Sequence, residues 1–139
     1  MSDLYRFGIS LEQNLIDAFD RHIKARNYRN RSEAIRDLIR EKLVQQEWTK
    51  SDKQTMGVAM IVYDHHTLEL SQKLAEIQHD HFASVVAAMH VHVDHHNCLE
   101  VLILRGKVSE IAALGNALIS TRGVKYGKLV PTTTGKDLC

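Results

Sequence analysis

One short strand followed by two short helices cannot close a hydrophobic core, and residues 1–48 of this chain read as that incomplete set. Tyr5, Phe7 and Ile9 alternate with Arg6, Gly8 and Ser10, the spacing of a strand over Leu4–Ser10 with one apolar face. Glu12 to about Ala25 is helical, with Leu11, Leu15, Phe19 and Ile23 recurring every fourth residue and Ala18 on the same face. The turn Arg26–Asn30 stops this helix. A second begins at Asn30–Ser32, where Asn30 and Glu33 have the spacing of a capping box. It runs to about Gln46 and buries Ala34, Ile35, Leu38, Ile39 and Leu43. A lone strand leaves its backbone donors and acceptors unpaired. The economical solution is a dimer in which two copies of Leu4–Ser10 form an antiparallel ribbon. Tyr5, Phe7 and Ile9 then point inward, and Arg6, Gly8 and Ser10 point outward.

The outward face suggests what such a ribbon could read. The whole chain carries 18 Lys+Arg against 17 Asp+Glu, which excludes a general polycation strategy for nucleic acid. Locally, however, Arg21, Lys24, Arg26, Arg29 and Arg31 stand with no acid among them. A two-stranded ribbon fits the major groove of DNA, and Arg can bond a guanine edge with two hydrogen bonds. The second helix would present its positive end to phosphate, with Arg29, Arg31 and Ser32 beside it. A solvated basic turn is the plainer alternative on charge alone. The strings Arg6-Phe7-Gly8-Ile9-Ser10-Leu11 and Asn30-Arg31-Ser32-Glu33-Ala34-Ile35-Arg36-Asp37-Leu38 weigh against it, because together they resemble a ribbon-helix-helix DNA-binding domain over residues 4–46. The resemblance implies double-stranded DNA as partner, with Arg6, Gly8, Ser10, Arg29, Arg31 and Ser32 at the interface. Gly8 departs from the family, which usually carries a base-reaching side chain there, so Arg6 and Ser10 would bear more of the direct readout.

Glu47–Thr55 is polar and aperiodic, which reads as a linker. It sets domains at residues 1–48 and 56–135, with a linker at 49–55 and a tail at 136–139. Met56–Tyr63 is an apolar run suited to a buried strand, and Thr67 to about His81 is helical with Leu70, Leu74 and Ile77 on one stripe. Ser84–Val93 alternates, Cys98–Arg105 is a further apolar strand, Ser109 can cap a helix ending near Arg122–Gly123, and Gly127–Val130 is a last short strand. The order β-α-β-β-α-β is that of a ferredoxin-like split unit, so the chain is expected to be α+β, with an antiparallel sheet and helices on one face.

Eight of the nine histidines lie between His65 and His96. His90 and His92 are two apart on a strand, so their imidazoles share a face, and H-x-H on a strand can present two nitrogens to one metal. With an odd number of residues in the following turn, for example His95-His96-Asn97 with Asp94 opposite Cys98, Cys98 joins that face. A two-residue turn puts it on the other. His79 lies about 180° from Leu70 on a wheel of about 100° per residue, so it faces away from its own core. It could complete a site on another subunit or simply be an exposed helical histidine. His81 sits on the apolar stripe, and His65, His66, His95 and His96 fall at turns where polar residues are ordinary.

Gln78-His79, His90-Val91-His92-Val93 and Asn97-Cys98-Leu99-Glu100 are similar to the metal-sensing domain of the nickel-responsive repressor family NikR. With the N-terminal strings, the resemblance covers nearly the whole chain. It implies an ACT-like, homotetrameric sensor domain in which His90, His92 and Cys98 of one subunit and His79 of a neighbour hold one Ni(II) per subunit. Tyr63, Gln78 and Glu100 match positions that support those ligands. The function implied is a nickel-activated repressor of a palindromic operator, with Glu33 and Asp37 as a weaker secondary cation site. Pairing of those two acids with Arg36 or Arg40 is the alternative there. Three imidazoles and a thiolate suit Ni(II), Cu(II) or Zn(II), and four protein ligands close a planar site, which favours a sensor over an enzyme.

Two rival functions remain: a DNA-binding regulator whose ACT-like domain senses an amino acid or other small molecule, and a zinc hydrolase with Glu100 as base. No apolar run approaches the ~18 residues of a membrane span, and two cysteines cannot staple a fold. A cytoplasmic protein with no membrane partner and no small-molecule substrate is expected.

Overall fold

The computed structural model describes residues 3–50 and 52–138. Cys139, read from sequence as a free tail thiol, lies outside the described residues. The chain divides into two compact units, the first reaching Leu43 and the second spanning Val44–Lys136.

The first unit holds α1 (Gln13–Ala25) and the start of α2 (Arg31–Lys50), both beginning close to where the sequence puts them. Asn27 takes a left-handed φ of 63°, a conformation Asn tolerates, and this turns the chain between the helices. Asn30 Oδ1 accepts the Glu33 N–H at 3.0 Å, half of the expected capping box. Ile23 and Ala34 are buried, whereas Tyr5 (84% exposed), Phe7, Ile9, Leu15 and Leu38 are open to solvent. Residues 3–12 form neither helix nor strand, unlike the strand expected over Leu4–Ser10. The physical reason is that a strand needs a ladder partner, and within one chain Leu4–Ser10 has none.

The second unit is a four-stranded antiparallel sheet of β1 (Gln54–Asp64), β2 (Val85–His92), β3 (Asn97–Lys107) and β4 (Tyr126–Pro131), in the order β2-β3-β1-β4. Two helices, α3 (Leu68–Asp80) and α4 (Val108–Ile119), pack on one face, giving the α+β split arrangement. Ala59, Ile61 and Tyr63 from β1 join Cys98, Leu102 and Leu104 from β3, Leu70 and Leu74 from α3, and Ile111, Leu114 and Leu118 from α4 in one core. On the opposite face, Met89, Val91 and Val93 are exposed, and Val58, Met60, Leu99 and Val101 are only partly covered.

Two local expectations are corrected. Helix α2 continues through Glu47–Lys50, and β1 already starts at Gln54, which leaves little of the expected 49–55 linker. Trp48 Nε1 donates to the Thr132 carbonyl at 2.8 Å, and Glu47 accepts the Thr133 hydroxyl at 3.2 Å, so a polar segment is held by partners far along the chain. Helix α4 starts at Val108, so Ser109 lies inside its first turn. There the Asp52 carboxylate accepts the Ser109 N–H at 3.0 Å and its hydroxyl at 3.1 Å, doing from a distance the work expected of a local cap.

Candidate metal centre

The β2–β3 hairpin brings the sequence-predicted donors together. His92 lies directly opposite Cys98, and His90 directly opposite Glu100, so all four side chains share the helix-bearing face of the sheet. The turn Asp94-His95-His96 holds an odd number of residues, as facing donors require, but the opposite residue of Cys98 is His92 instead of Asp94. Asp94 fixes this turn: its carboxylate accepts the His96 and Asn97 N–H groups at 2.9 and 2.8 Å and the Asn97 amide at 2.9 Å. Those bonds hold its carboxyl down at about 2, well below the usual range.

Cys98 is buried, and His90 Nδ1 lies 3.8 Å from its Sγ. Behind them sits Glu100, a carboxylate only 1% exposed. Such a group is costly to bury unless its oxygens are bonded. Glu100 Oε2 accepts the Tyr63 hydroxyl at 2.9 Å, and Oε1 accepts Gln78 Nε2 at 2.8 Å with His90 Nε2 at 3.4 Å. Burial, followed by the bond to the carboxylate, pushes the Tyr63 phenol well above its ordinary value. Tyr63 therefore stays a donor, and Glu100, fixed by Tyr63 and Gln78, stands beside the far nitrogen of His90, where outer partners orient a ligating imidazole.

The remaining predicted positions are more dispersed. His92 packs edge-on against His65, with ring centroids 4.7 Å apart. His79 is exposed on α3, on the side away from Leu70 and Leu74. His81 Nδ1 donates to the Ile77 carbonyl at 2.9 Å at the end of that helix. In the first unit, Arg31 forms a two-pronged pair with Asp20 at 2.8 and 2.9 Å, and Asp37 accepts from Tyr28 at 2.7 Å and Arg40 at 3.2 Å. The pairing alternative for Asp37 is thus realised in the single chain. Arg6, Gly8, Ser10, Arg29 and Ser32 are exposed.

Sequence reasoning passed over one group. Asp64, His66 and His96 offer ligand atoms that all lie within 4.8 Å of one another. Only the density of histidines hinted at it, because the residues come from two turns distant in sequence.

The NikR C-terminal nickel-binding domain family matches residues 56–132, and the CopG-family ribbon-helix-helix proteins match residues 5–46. A protein from Nitratidesulfovibrio vulgaris named "Putative nickel-responsive regulator" is 54% identical over 99% of both chains. One of the same name from Geobacter sulfurreducens is 51% identical over the same share. The chain belongs to the NikR family of nickel-responsive regulators. A NikR protein is a transcriptional regulator and not an enzyme, which removes the zinc-hydrolase rival; the family implies nickel binding and DNA binding. An uncharacterized protein from Thermotoga maritima, 20% identical, superposes with a TM-score of 0.52 over 58% of this NikR chain and all of its own, a likeness of fold alone. No described helix is long and apolar enough to cross a membrane.

Proposed function

We propose that this chain is a nickel-activated repressor in which His90, His92 and Cys98 of one subunit and His79 of a neighbour hold one Ni(II) per subunit of a homotetramer. The observation that carries this is the hairpin register, which sets two imidazoles and a thiol on one face with His90 backed by a buried carboxylate. The donors fit the ion: imidazole nitrogen and thiolate sulfur form a borderline set that Ni(II) accepts, the thiol losing its proton to solvent as the ion binds. Bound metal supplies bonds that cross the subunit boundary. Tyr63 and Gln78 hold Glu100, Glu100 holds His90, and the exposed outward position of His79 suits a donor shared with another chain.

The apolar sheet face of Met89, Val91 and Val93, left open in one chain, supports assembly beyond a monomer. The uncovered Tyr5, Phe7 and Ile9 support a ribbon made by two chains. In that ribbon Arg6 and Ser10 read base edges, while Gly8 adds no side chain. Arg29, Arg31 and Ser32 take phosphate once Arg31 exchanges its exposed Asp20 partner for the backbone. Glu33 and Asp37 form the weaker secondary cation site when DNA is bound. Subunits tied by metal favour the spacing that lets both ribbons contact a palindrome, and two linked contacts raise affinity without new base contacts. In this reading residues 1–48 are the DNA-binding domain and residues 56–135 the nickel-binding and tetramerisation domain, although the compact units divide a few residues earlier, at Leu43–Val44. Gel-shift assays with and without Ni(II), on the native chain and on His90→Ala, test the proposal. Metal-dependent retardation only in the native chain is expected, and equal retardation in all four lanes overturns it.

A further inference from the structure

We infer that residues 132–135 form a strap that fastens the last turns of α2 to the sensor sheet, with Trp48 as its pin, and that this fastening is what carries the metal response into α2. The second half rests on the repressor reading above; the first stands without it. Every contact of the strap lies within the second unit, Val44–Lys136.

Helix α2 runs on past Leu43 through residues 45–50, a polar stretch in which Trp48 is the one large apolar side chain. That ring packs against the sensor core. Its Nε1 donates to the Thr132 carbonyl at 2.8 Å, and the hydroxyl of the fully buried Thr55 donates to the same oxygen at 3.2 Å. Both lone pairs of one carbonyl thus join α2, β1 and the segment after β4. The Thr132 N–H donates to the Met56 carbonyl at 3.1 Å, which continues the β1–β4 pairing into the strap. One residue on, the Thr133 hydroxyl donates to Glu47 Oε2 at 3.2 Å and accepts the Gly135 N–H at 3.2 Å. If the strap leaves, the indole N–H and the buried Thr55 hydroxyl both lose their acceptor.

The seat of the indole is shaped for it. A Cβ on Gly57 would stand 3.2 Å from the Trp48 ring and 3.1 Å from Ile111, so β1 carries glycine where the ring lies. Beyond the helix, Asp52 holds the N–H and hydroxyl of Ser109, a second anchor on α4. Strand β1 has Thr55 and Gly57 at this end and, at the other, Tyr63, which bonds the Glu100 carboxylate beside His90. It is paired on both sides, and so joins the metal centre to the strap as one stiff element. Helix α2 is unbroken from Arg31 to Lys50, so a grip on its end reaches the residues proposed to face phosphate. Loosening the strap then changes the coupling between metal and DNA while leaving each affinity by itself intact.

A chain ending at Pro131 lacks the strap and keeps all of β4, Thr133→Val removes one hydroxyl, and Gly57→Ala crowds the ring. Trp48 is the only tryptophan, so its emission reports on the strap directly. In the shortened chain that emission is expected to shift to the red and acrylamide to quench it more, with smaller changes of the same sign in T133V and G57A. In gel shift, the gain in DNA affinity on adding Ni(II) is expected to fall at least about fivefold in the shortened chain. Its DNA affinity without metal, and its Ni(II) affinity by competition titration without DNA, are expected to stay native. A strap that served the fold alone would lower the thermal transition and leave the Ni(II) gain intact. Should the shortened chain lose its native circular dichroism, W48F/T133V, which keeps a ring in the seat and drops both bonds, decides the gain. Native quenching in the shortened chain overturns the strap, and an exposed Trp48 with an undiminished Ni(II) gain overturns its part in the response. A native chain with no Ni(II) gain sinks the repressor reading, and quenching alone then decides the strap.

Discussion

The two units of this chain treat their apolar residues in opposite ways. The sensor unit closes a core of strands and helices within one chain, with Leu102, Leu104, Ile111, Leu114 and Leu118 fully buried. The N-terminal unit buries Ile23 and Ala34 and leaves Leu4, Tyr5, Phe7, Ile9, Leu15, Leu38 and Ile39 substantially exposed. One unit carries its structure in its own sequence. The other leaves its apolar residues uncovered, as the proposed two-chain ribbon requires, and in that reading its stability depends on protein concentration.

The contrast can be broken most directly at Phe7. Phe7→Asp places a charge on the inward face of the ribbon, and loss of specific DNA binding is expected with the thermal transition of the sensor unit unchanged. Gel shift and calorimetry read the two halves separately, and a lowered sensor transition would mean that the units are not independent in this way. Leu114→Ala probes the other side. Deleting a fully buried leucine from a self-contained core is expected to cost about 2–5 kcal/mol in chemical denaturation.

A smaller effect belongs to the buried carboxylate. Glu100→Ala strands the Tyr63 hydroxyl and Gln78 amide at about 1–3 kcal/mol for each donor left unpaired. It also frees His90, with an expected loss of about 10–100-fold in Ni(II) affinity by competition titration. Glu100→Gln restores an acceptor for one of the two donors, and its fold is expected to recover further than its metal affinity. The smallest effect lies at the exposed turn. Asp94 titrates near ~3.9 when unfolded and at about 2 in the hairpin, so its contribution is present above about pH 4 and is lost as pH falls toward 2. Protection of the His96 and Asn97 amides, taken as exchange relative to the intrinsic rate at each pH, should fall across that window, and Asp94→Ala should remove that pH dependence.

What could be read from sequence follows the distance over which each feature is determined. The phase of α1, the Asn30 cap and the order of the sensor strands depend on neighbours a few residues away. The side of the hairpin on which Cys98 appears hangs on the length of one short turn, which the sequence left open between an odd and an even count and the register fixes as odd. Features set by distant partners could not be read. Trp48 and Glu47 are made helical and docked by Thr132 and Thr133, and Ser109 is capped by Asp52, across 57 residues of chain. Asp64, His66 and His96 looked like ordinary turn residues because nothing local shows that the two turns meet. Glu100, an acid within an apolar strand, was a local signal, but its role came only from family resemblance until Tyr63, Gln78 and His90 were seen around it.

The three-residue turn at Asp94-His95-His96 also makes the hairpin intolerant of changes in length. Substitutions there leave every side chain of β3 on its own face. Losing or gaining a single residue reverses the faces if the strands re-pair around the altered turn; β1 holds β3, so the edge strand β2 flips, carrying His90 and His92 away from Cys98 and Glu100 and turning Met89 and Val91 toward the helices. In-frame codon loss in this stretch would therefore be far more damaging than any exchange of one amino acid for another.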